Sequence, residues 1–100
     1  MVPKSGTLIA HQDDFTVKAK HARTLKAIYH RPVLGTIRWA DIEALLVSLG
    51  ADVEERAGSR VAFIWNEQVY VFHRPHPSPD SDKGAVASVK RILESNGVKP

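Results

Sequence analysis

Two runs of β-branched and aromatic residues, RVAFIW (60–65) and QVYVFH (68–73), flank the dipeptide Asn66-Glu67. Such runs are typical of β-strands, and a two-residue separation favours a tight hairpin, although this pair lacks the glycine of the commonest turns. Because a strand alternates its side chains between two faces, the hairpin decides which residues are buried and which are open to a ligand.

The register of the hairpin follows from its loop. With Asn66 and Glu67 as the loop, Arg60 lies directly opposite His73, with Cβ atoms roughly 5 Å apart. A three-residue loop would shift the register by one and place Val61 opposite His73 instead. The face shared with Arg60 is small and apolar, whereas the other face is bulkier and is predicted to lie beneath the helices. The bulkier set is Val61, Phe63, Trp65, Tyr70 and Phe72.

Helical spacing of apolar residues predicts three helices around these strands. The first is expected over residues 17–31 and is stopped by Pro32. The second ends at Gly50, which suits a left-handed cap, and the third follows Asp82 as N-cap and closes at Gly97. The apolar positions of the second helix are Trp39, Ile42, Leu45, Leu46 and Leu49.

The order of elements is helix, helix, three strands, helix, with a short edge strand at residues 51–55. It predicts an α+β fold in which a three-stranded antiparallel sheet has its helices packed on one face. A chain of 100 residues is enough for one modest core. We expect residues 1–16 to form a flexible N-terminal arm and residues 17–100 a single domain.

Cysteine is absent from the sequence, so disulfides and thiolate metal ligands are excluded. Apolar stretches fall short of a membrane span, and the N-terminus lacks the apolar core of a secretory signal. A reducing, cytoplasmic location without membrane association is the simplest expectation.

Basic and acidic residues are separated along the chain. Residues 18–38 contain six Lys or Arg and no acid, whereas residues 41–55 contain five acids and no base. The net charge is +3 and the pI is near 9.5. This separation favours a molecule with a positive side that attracts polyanions. Two solvated helix surfaces of opposite sign would give the same pattern.

Histidine and arginine cluster at the end of the hairpin and in the proline-rich loop after it. Cleaving RNA without a metal requires a base for the 2′-hydroxyl, an acid for the leaving oxygen and a cation for the phosphate. Histidine suits the first two roles and arginine the third. We therefore predict His73 and His76 as catalytic residues. The predicted phosphate contacts are Arg60, Arg74 and Lys83, the last at a helix N-terminus that can add backbone N–H groups.

The same residues have plainer interpretations. Histidine and arginine in a proline-rich loop are often only solvated. The spacing His73-x-x-His76 could indicate a metal site, but two histidines are too few and a third ligand is not evident, so neither a metal nor a cofactor is predicted. Trp39 and Trp65 are expected to anchor the core rather than to stack on bases.

Four features in a fixed order link the chain to a known family. They are IEALLVSLGA (42–51), Gly58-Ser59, VYVFHRP (69–75) and KGAVASVKRILESNGV (83–98). In these features, residues 39–99 resemble HicA-like toxins of bacterial toxin–antitoxin pairs. The arm and the first helix lie outside the resemblance.

The resemblance implies a fold like that of double-stranded RNA-binding domains, and a ribonuclease that cleaves mRNA. It also implies a HicB-type antitoxin that blocks the site. After the Gly-Ser pair the family usually carries a catalytic histidine, but this chain has Arg60, and arginine cannot shuttle protons near neutral pH. We assign Ser59, of that pair, to the phosphate contacts.

Three functions therefore stay open at the level of the sequence. In the first, the chain is a ribonuclease in which the proton-transfer role has moved across the hairpin to His73. Alternatively, the chain binds RNA without cutting it, and Arg60 is a phosphate contact. Thirdly, the chain is an interaction domain whose apolar sheet face binds another protein.

Overall fold

The computed structural model describes residues 19–100, in which the predicted order of elements is confirmed. The described helices are α1 (residues 19–29), α2 (Trp39–Ser48) and α3 (Lys83–Ser95). The strands are β1 (Asp52–Glu55), β2 (Arg60–Trp65) and β3 (Gln68–His73). The predicted arm at residues 1–16, and residues 17 and 18 of the first predicted helix, lie outside the described residues.

The three strands form an antiparallel sheet in the order β1-β2-β3, so β1 lies at an edge as predicted. Arg60 pairs with His73, which confirms the two-residue loop. Asn66 and Glu67 have φ angles of +51° and +66°. Positive φ at both loop residues is the signature of the turn whose twist matches the two strands. The Asn66 side-chain amide donates to Asn96 Oδ1 at 2.5 Å, which ties the turn to the end of α3.

The helices cover one face of the sheet, and the bulkier face of the hairpin is the buried one, as predicted. Phe63 is 1% exposed. Its ring centroid lies 6.1 Å from that of Trp39 and 6.0 Å from that of Phe72, within the range in which aromatic pairs attract. Trp39 and Trp65 are both buried, so they anchor the core.

The helix ends form as the sequence predicts. Gly50 follows α2 with a φ of +109°, a conformation that side chains rarely adopt. Asp82 caps α3, since its carboxylate accepts from the Ala85 N–H at 3.2 Å. This cap places the start of α3 beside the end of β3, where the basic residues cluster.

Helix α1 belongs to the same packed unit. Ile28 is buried in the core cluster. The Tyr29 hydroxyl donates to the Val98 carbonyl at 2.5 Å, which ties the end of α1 to the chain after α3. Burial, with a smaller contribution from Glu94, raises the pKa of Tyr29. The end of α1 is therefore held beside the end of α3.

Candidate functional site

Strand alternation divides the basic cluster between the two sides of the sheet. The Arg74 N–H donates to the Ser59 carbonyl at 3.0 Å, so the ladder continues one pair beyond the strands. Hydrogen-bonded and non-hydrogen-bonded pairs alternate along an antiparallel ladder, so the neighbouring pair, Arg60 and His73, is a non-hydrogen-bonded pair. Cα atoms in such pairs lie about 4.5 Å apart. Arg60 and His73 therefore present adjacent side chains on the open side of the sheet.

Arg74 lies on the helix-covered side and is held by two carboxylates. Its Nε donates to Glu43 Oε2 at 2.7 Å, and its Nη2 donates to Glu55 Oε2 at 2.8 Å. The Trp39 indole N–H donates to the same Glu43 carboxylate. The hydrogen bonds that Arg74 donates to Glu55 and Glu43 raise the pKa of Arg74, and the bond that Glu55 accepts lowers the pKa of Glu55. The guanidinium ties β3 to α2 and β1.

These hydrogen bonds make Arg74 different from the other predicted phosphate contacts. Its fork is already matched by carboxylates, the groups that compete most directly with a phosphate. The acidic partners lie on α2 and β1, 31 and 19 residues away along the chain. No local pattern around Arg74 in the sequence points to them.

His73 and His76 line one open cleft of about 370 Å³ at the end of the sheet. The wall of the cleft is fixed by backbone hydrogen bonds between the loop before α3 and the start of α2. The Ser81 N–H donates to the Ile37 carbonyl at 2.7 Å, and the Trp39 N–H donates to the Pro79 carbonyl at 3.0 Å. The two predicted catalytic histidines are therefore brought into one cleft.

The same cleft contains polar residues that the sequence reasoning did not single out for the site. Asp80 and Ser81 line it, together with the N-cap Asp82. Ser81 is 2% exposed, and its Oγ has no hydrogen-bond partner in the described part of the chain. A carboxylate beside a histidine can orient the ring and stabilise its protonated form. Arg74 also lines the cleft, but its guanidinium is already paired with Glu43 and Glu55. Because the carboxylates repel a phosphate, a phosphate here needs a further cation.

The remaining predicted contacts lie around the cleft. Arg60 is exposed, and its Nε donates to the Ala57 carbonyl at 3.0 Å. Ser59 is exposed in the β1–β2 loop with a φ of +67°. Lys83, the first residue of α3, lies against the α1–α2 connection, with its Cε 3.5 Å from the position of a Cβ built on Gly35. Across the strands Arg60 is opposite His73 and Ser59 is opposite Arg74, whereas Lys83 lies against the segment that connects α1 to α2. None of the three is among the lining residues of the cleft.

Two further observations bear on the site. Between residues 19 and 100, the His, Asp and Glu side chains form no group of three or more that could hold a metal ion. None of the helices in that range combines the length and the apolar character needed to cross a membrane.

A protein-family model described as the HicA toxin of bacterial toxin–antitoxin systems matches residues 39–98. The matched range contains α2, the whole sheet and α3, while α1 precedes it. Searches of curated proteins and of solved structures gave no match.

Proposed function

The chain belongs to the HicA toxins of bacterial toxin–antitoxin systems, and we propose that it is an endoribonuclease that cuts mRNA in the cytoplasm without a metal ion. One observation carries this proposal. His73 and His76 line a single cleft, and Arg60 is the cross-strand neighbour of His73. Two histidines suited to proton transfer thus line one cleft, and an arginine without an ion pair in residues 19–100 lies opposite one of them across the strands.

The proposed reaction uses the RNA's own 2′-hydroxyl as the nucleophile. One histidine takes the hydroxyl proton while O2′ attacks the adjacent phosphorus. The bond from phosphorus to O5′ breaks, and the other histidine gives a proton to O5′. The products are a 2′,3′-cyclic phosphate and a 5′-hydroxyl, so no water or metal enters this step. The two histidines exchange protonation states, and solvent resets them.

Arg60 is suited to the charge that develops on the phosphate. It forms no ion pair with a carboxylate of residues 19–100, in contrast to Arg74. The Arg60 Nε donates to the Ala57 carbonyl, which leaves the two terminal nitrogens to donate to two phosphate oxygens. The exposed Ser59 hydroxyl and the start of α3, with Lys83, add further donors.

The test is cleavage of an end-labelled RNA by purified protein in EDTA. We expect H73A and H76A each to lose about 10²- to 10⁴-fold in rate, the usual contribution of one proton-transfer group. H30A is the matched control, because His30 is an exposed histidine that does not line the cleft. Undiminished cleavage by H73A would contradict the assignment of that residue.

A second function is favoured by one specific residue. Arg60 stands where members of this family usually carry the catalytic histidine, so the chain is alternatively a non-catalytic RNA-binding module. In that case the protein binds RNA in EDTA and leaves it intact. The R60H variant distinguishes the two functions. If the native protein binds RNA without cutting it and R60H cuts RNA, the native protein lacks only the proton-transfer group. A ribonuclease that already uses His73 instead loses a phosphate contact and gains no new step.

The proposed protein partner is a HicB-type antitoxin that covers the open side of the sheet. Val69 and Val71 are 55% and 49% exposed there, in the same row as His73. A partner that buries these two valines also covers Arg60 and the side chain of His73, two residues of the proposed site. Co-purification with the product of a neighbouring antitoxin-like gene tests this, and V71D should weaken the complex. A complex unaffected by V71D would place the antitoxin elsewhere.

A further inference from the structure

A second depression, of about 430 Å³, lies between α1 and the segment that connects α1 to α2. We call it the basic groove. Its basic residues are Lys20, Arg23 and Arg38, and Thr24 and Thr36 line it as well. Thr36 is exposed, whereas Thr24 is buried and its hydroxyl donates to the Lys20 carbonyl at 3.3 Å. All of these residues precede residue 39, where the family match begins. The groove is therefore a property of this chain beyond the matched part.

The charge in the basic groove is only partly neutralised. Asp41 is the one acid among its lining residues, and it pairs with Lys20 at 3.6 Å. Arg23 and Arg38 form no ion pair with any carboxylate in the described chain. Within residues 19–100, neither guanidinium is neutralised by a carboxylate. The acid-free run of residues 18–38 thus supplies all the basic residues of the groove.

The basic groove adjoins the histidine cleft. Arg38, which lines the groove, forms an isolated antiparallel bridge with Asp80, which lines the cleft. Bridged residues have Cα atoms about 4.5 to 5.5 Å apart. Lys83 leans on Gly35 of the same connecting segment, next to the groove residues Leu34 and Thr36. A single extended anion can therefore contact both depressions.

We propose that the basic groove binds the sugar–phosphate backbone of the RNA strand whose scissile phosphate lies in the histidine cleft. This proposal rests on the proposed function and adds where the rest of the strand runs. Arginine forks and threonine hydroxyls are the side chains that commonly contact phosphates. An acidic peptide would instead need apolar anchor pockets, but Ile37 is buried and only Ala27 and Leu34 offer partly exposed apolar surface.

The experiment measures affinity separately from chemistry. The probe is a labelled single-stranded 2′-O-methyl RNA, which lacks the attacking hydroxyl and stays intact, titrated at several salt concentrations. We expect R23A and R38A each to weaken binding about tenfold, as for loss of one charged hydrogen-bonding group. Each should also reduce the slope of log affinity against log salt by about 0.7. R91A is the matched control, because Arg91 is an exposed arginine on α3 away from the groove.

A further variant guards against loss of the fold. Thr36 is exposed, so T36E adds a negative charge to the groove and removes no buried contact. It should weaken RNA binding as the arginine variants do, with an unchanged thermal midpoint. R23K and R38K keep the charge and should retain most of the affinity.

The outcomes separate this inference from the proposed function. If the groove variants bind RNA like R91A while H73A still loses cleavage, the inference is wrong and the ribonuclease proposal stands. If the native protein neither binds nor cuts RNA, both proposals fall. If the variants lose binding to labelled poly-glutamate and keep binding to RNA, the groove belongs to an acidic protein partner.

Discussion

Arg60 and Arg74 lie in neighbouring residue pairs of one hairpin, yet their guanidinium groups have opposite surroundings. Arg74 lies on the side covered by the helices and is held by Glu43 and Glu55. Arg60 lies on the open side beside His73, with its terminal nitrogens available to a ligand. One residue step along a strand reverses the face. A cluster of basic residues in sequence is thus divided into a part that is ion-paired under the helices and a part that is exposed on the open side.

The largest expected effect is a difference in unfolding free energy between variants of apolar residues on the two sides of the sheet. Phe63 is fully packed under the helices, so F63A should lower the free energy of unfolding by about 3 to 5 kcal/mol. Val71 is 49% exposed on the open side, and V71A should change it by less than about 1 kcal/mol. Urea denaturation of both variants gives the two values. Similar losses would mean that both sides are buried.

The next effect compares the two arginines directly. R74A leaves Glu43 partly buried without its guanidinium partner, so it should cost about 1 to 3 kcal/mol of unfolding free energy. R60A removes an exposed side chain and should change stability by less than about 0.5 kcal/mol. Equal costs in the same denaturation experiment would contradict the division between the two sides.

Changes at the two arginines should affect RNA affinity in the opposite order from stability. R60A should weaken binding to uncleavable RNA about tenfold, because a phosphate contact is lost. R74K keeps a cation against Glu43 and Glu55 and should bind RNA as the native protein does. Fluorescence anisotropy at fixed salt measures both. A larger loss for R74K than for R60A would move the phosphate to the helix-covered side.

The smallest effect concerns the Glu55 carboxylate, whose pKa is lowered by the hydrogen bond from Arg74. A pKa that is lower in the folded state than in the unfolded state stabilises the fold at pH values above the ordinary glutamate pKa. This contribution is lost as the pH falls through the lowered pKa. NMR titration of the Glu55 side chain should show that pKa below its usual range, and R74A should return it there. Titration at the usual value in the native protein would mean that the ion pair does not persist in solution.

The hairpin register and the buried face could be predicted because they depend on local patterns. Asn66-Glu67 fixes the loop, and alternation then places His73 opposite Arg60. The carboxylates around Arg74 could not be predicted, since they come from α2 and β1, and that contact depends on packing. Asp80 and Ser81 were missed as part of the histidine cleft for the same reason.

The basic groove is an intermediate case. The acid-free run of residues 18–38 was visible in the sequence, and a positive side was expected from it. What the run could not reveal is that Arg23 on α1 and Arg38 before α2 line one depression next to the histidine cleft. Charge composition predicts a partner class, whereas the location of the site requires the fold.

The chemistry of the RNA ends after incubation with the native protein in EDTA tests whether the protein is a ribonuclease that uses the 2′-hydroxyl. Mass spectrometry of the fragments should show 2′,3′-cyclic phosphate on one side of each cut and 5′-hydroxyl on the other. Those ends require the 2′-hydroxyl as nucleophile and one proton transfer in each direction, the roles assigned to His73 and His76. Fragments ending in 3′-hydroxyl and 5′-phosphate, or RNA that stays intact, would contradict the proposed ribonuclease.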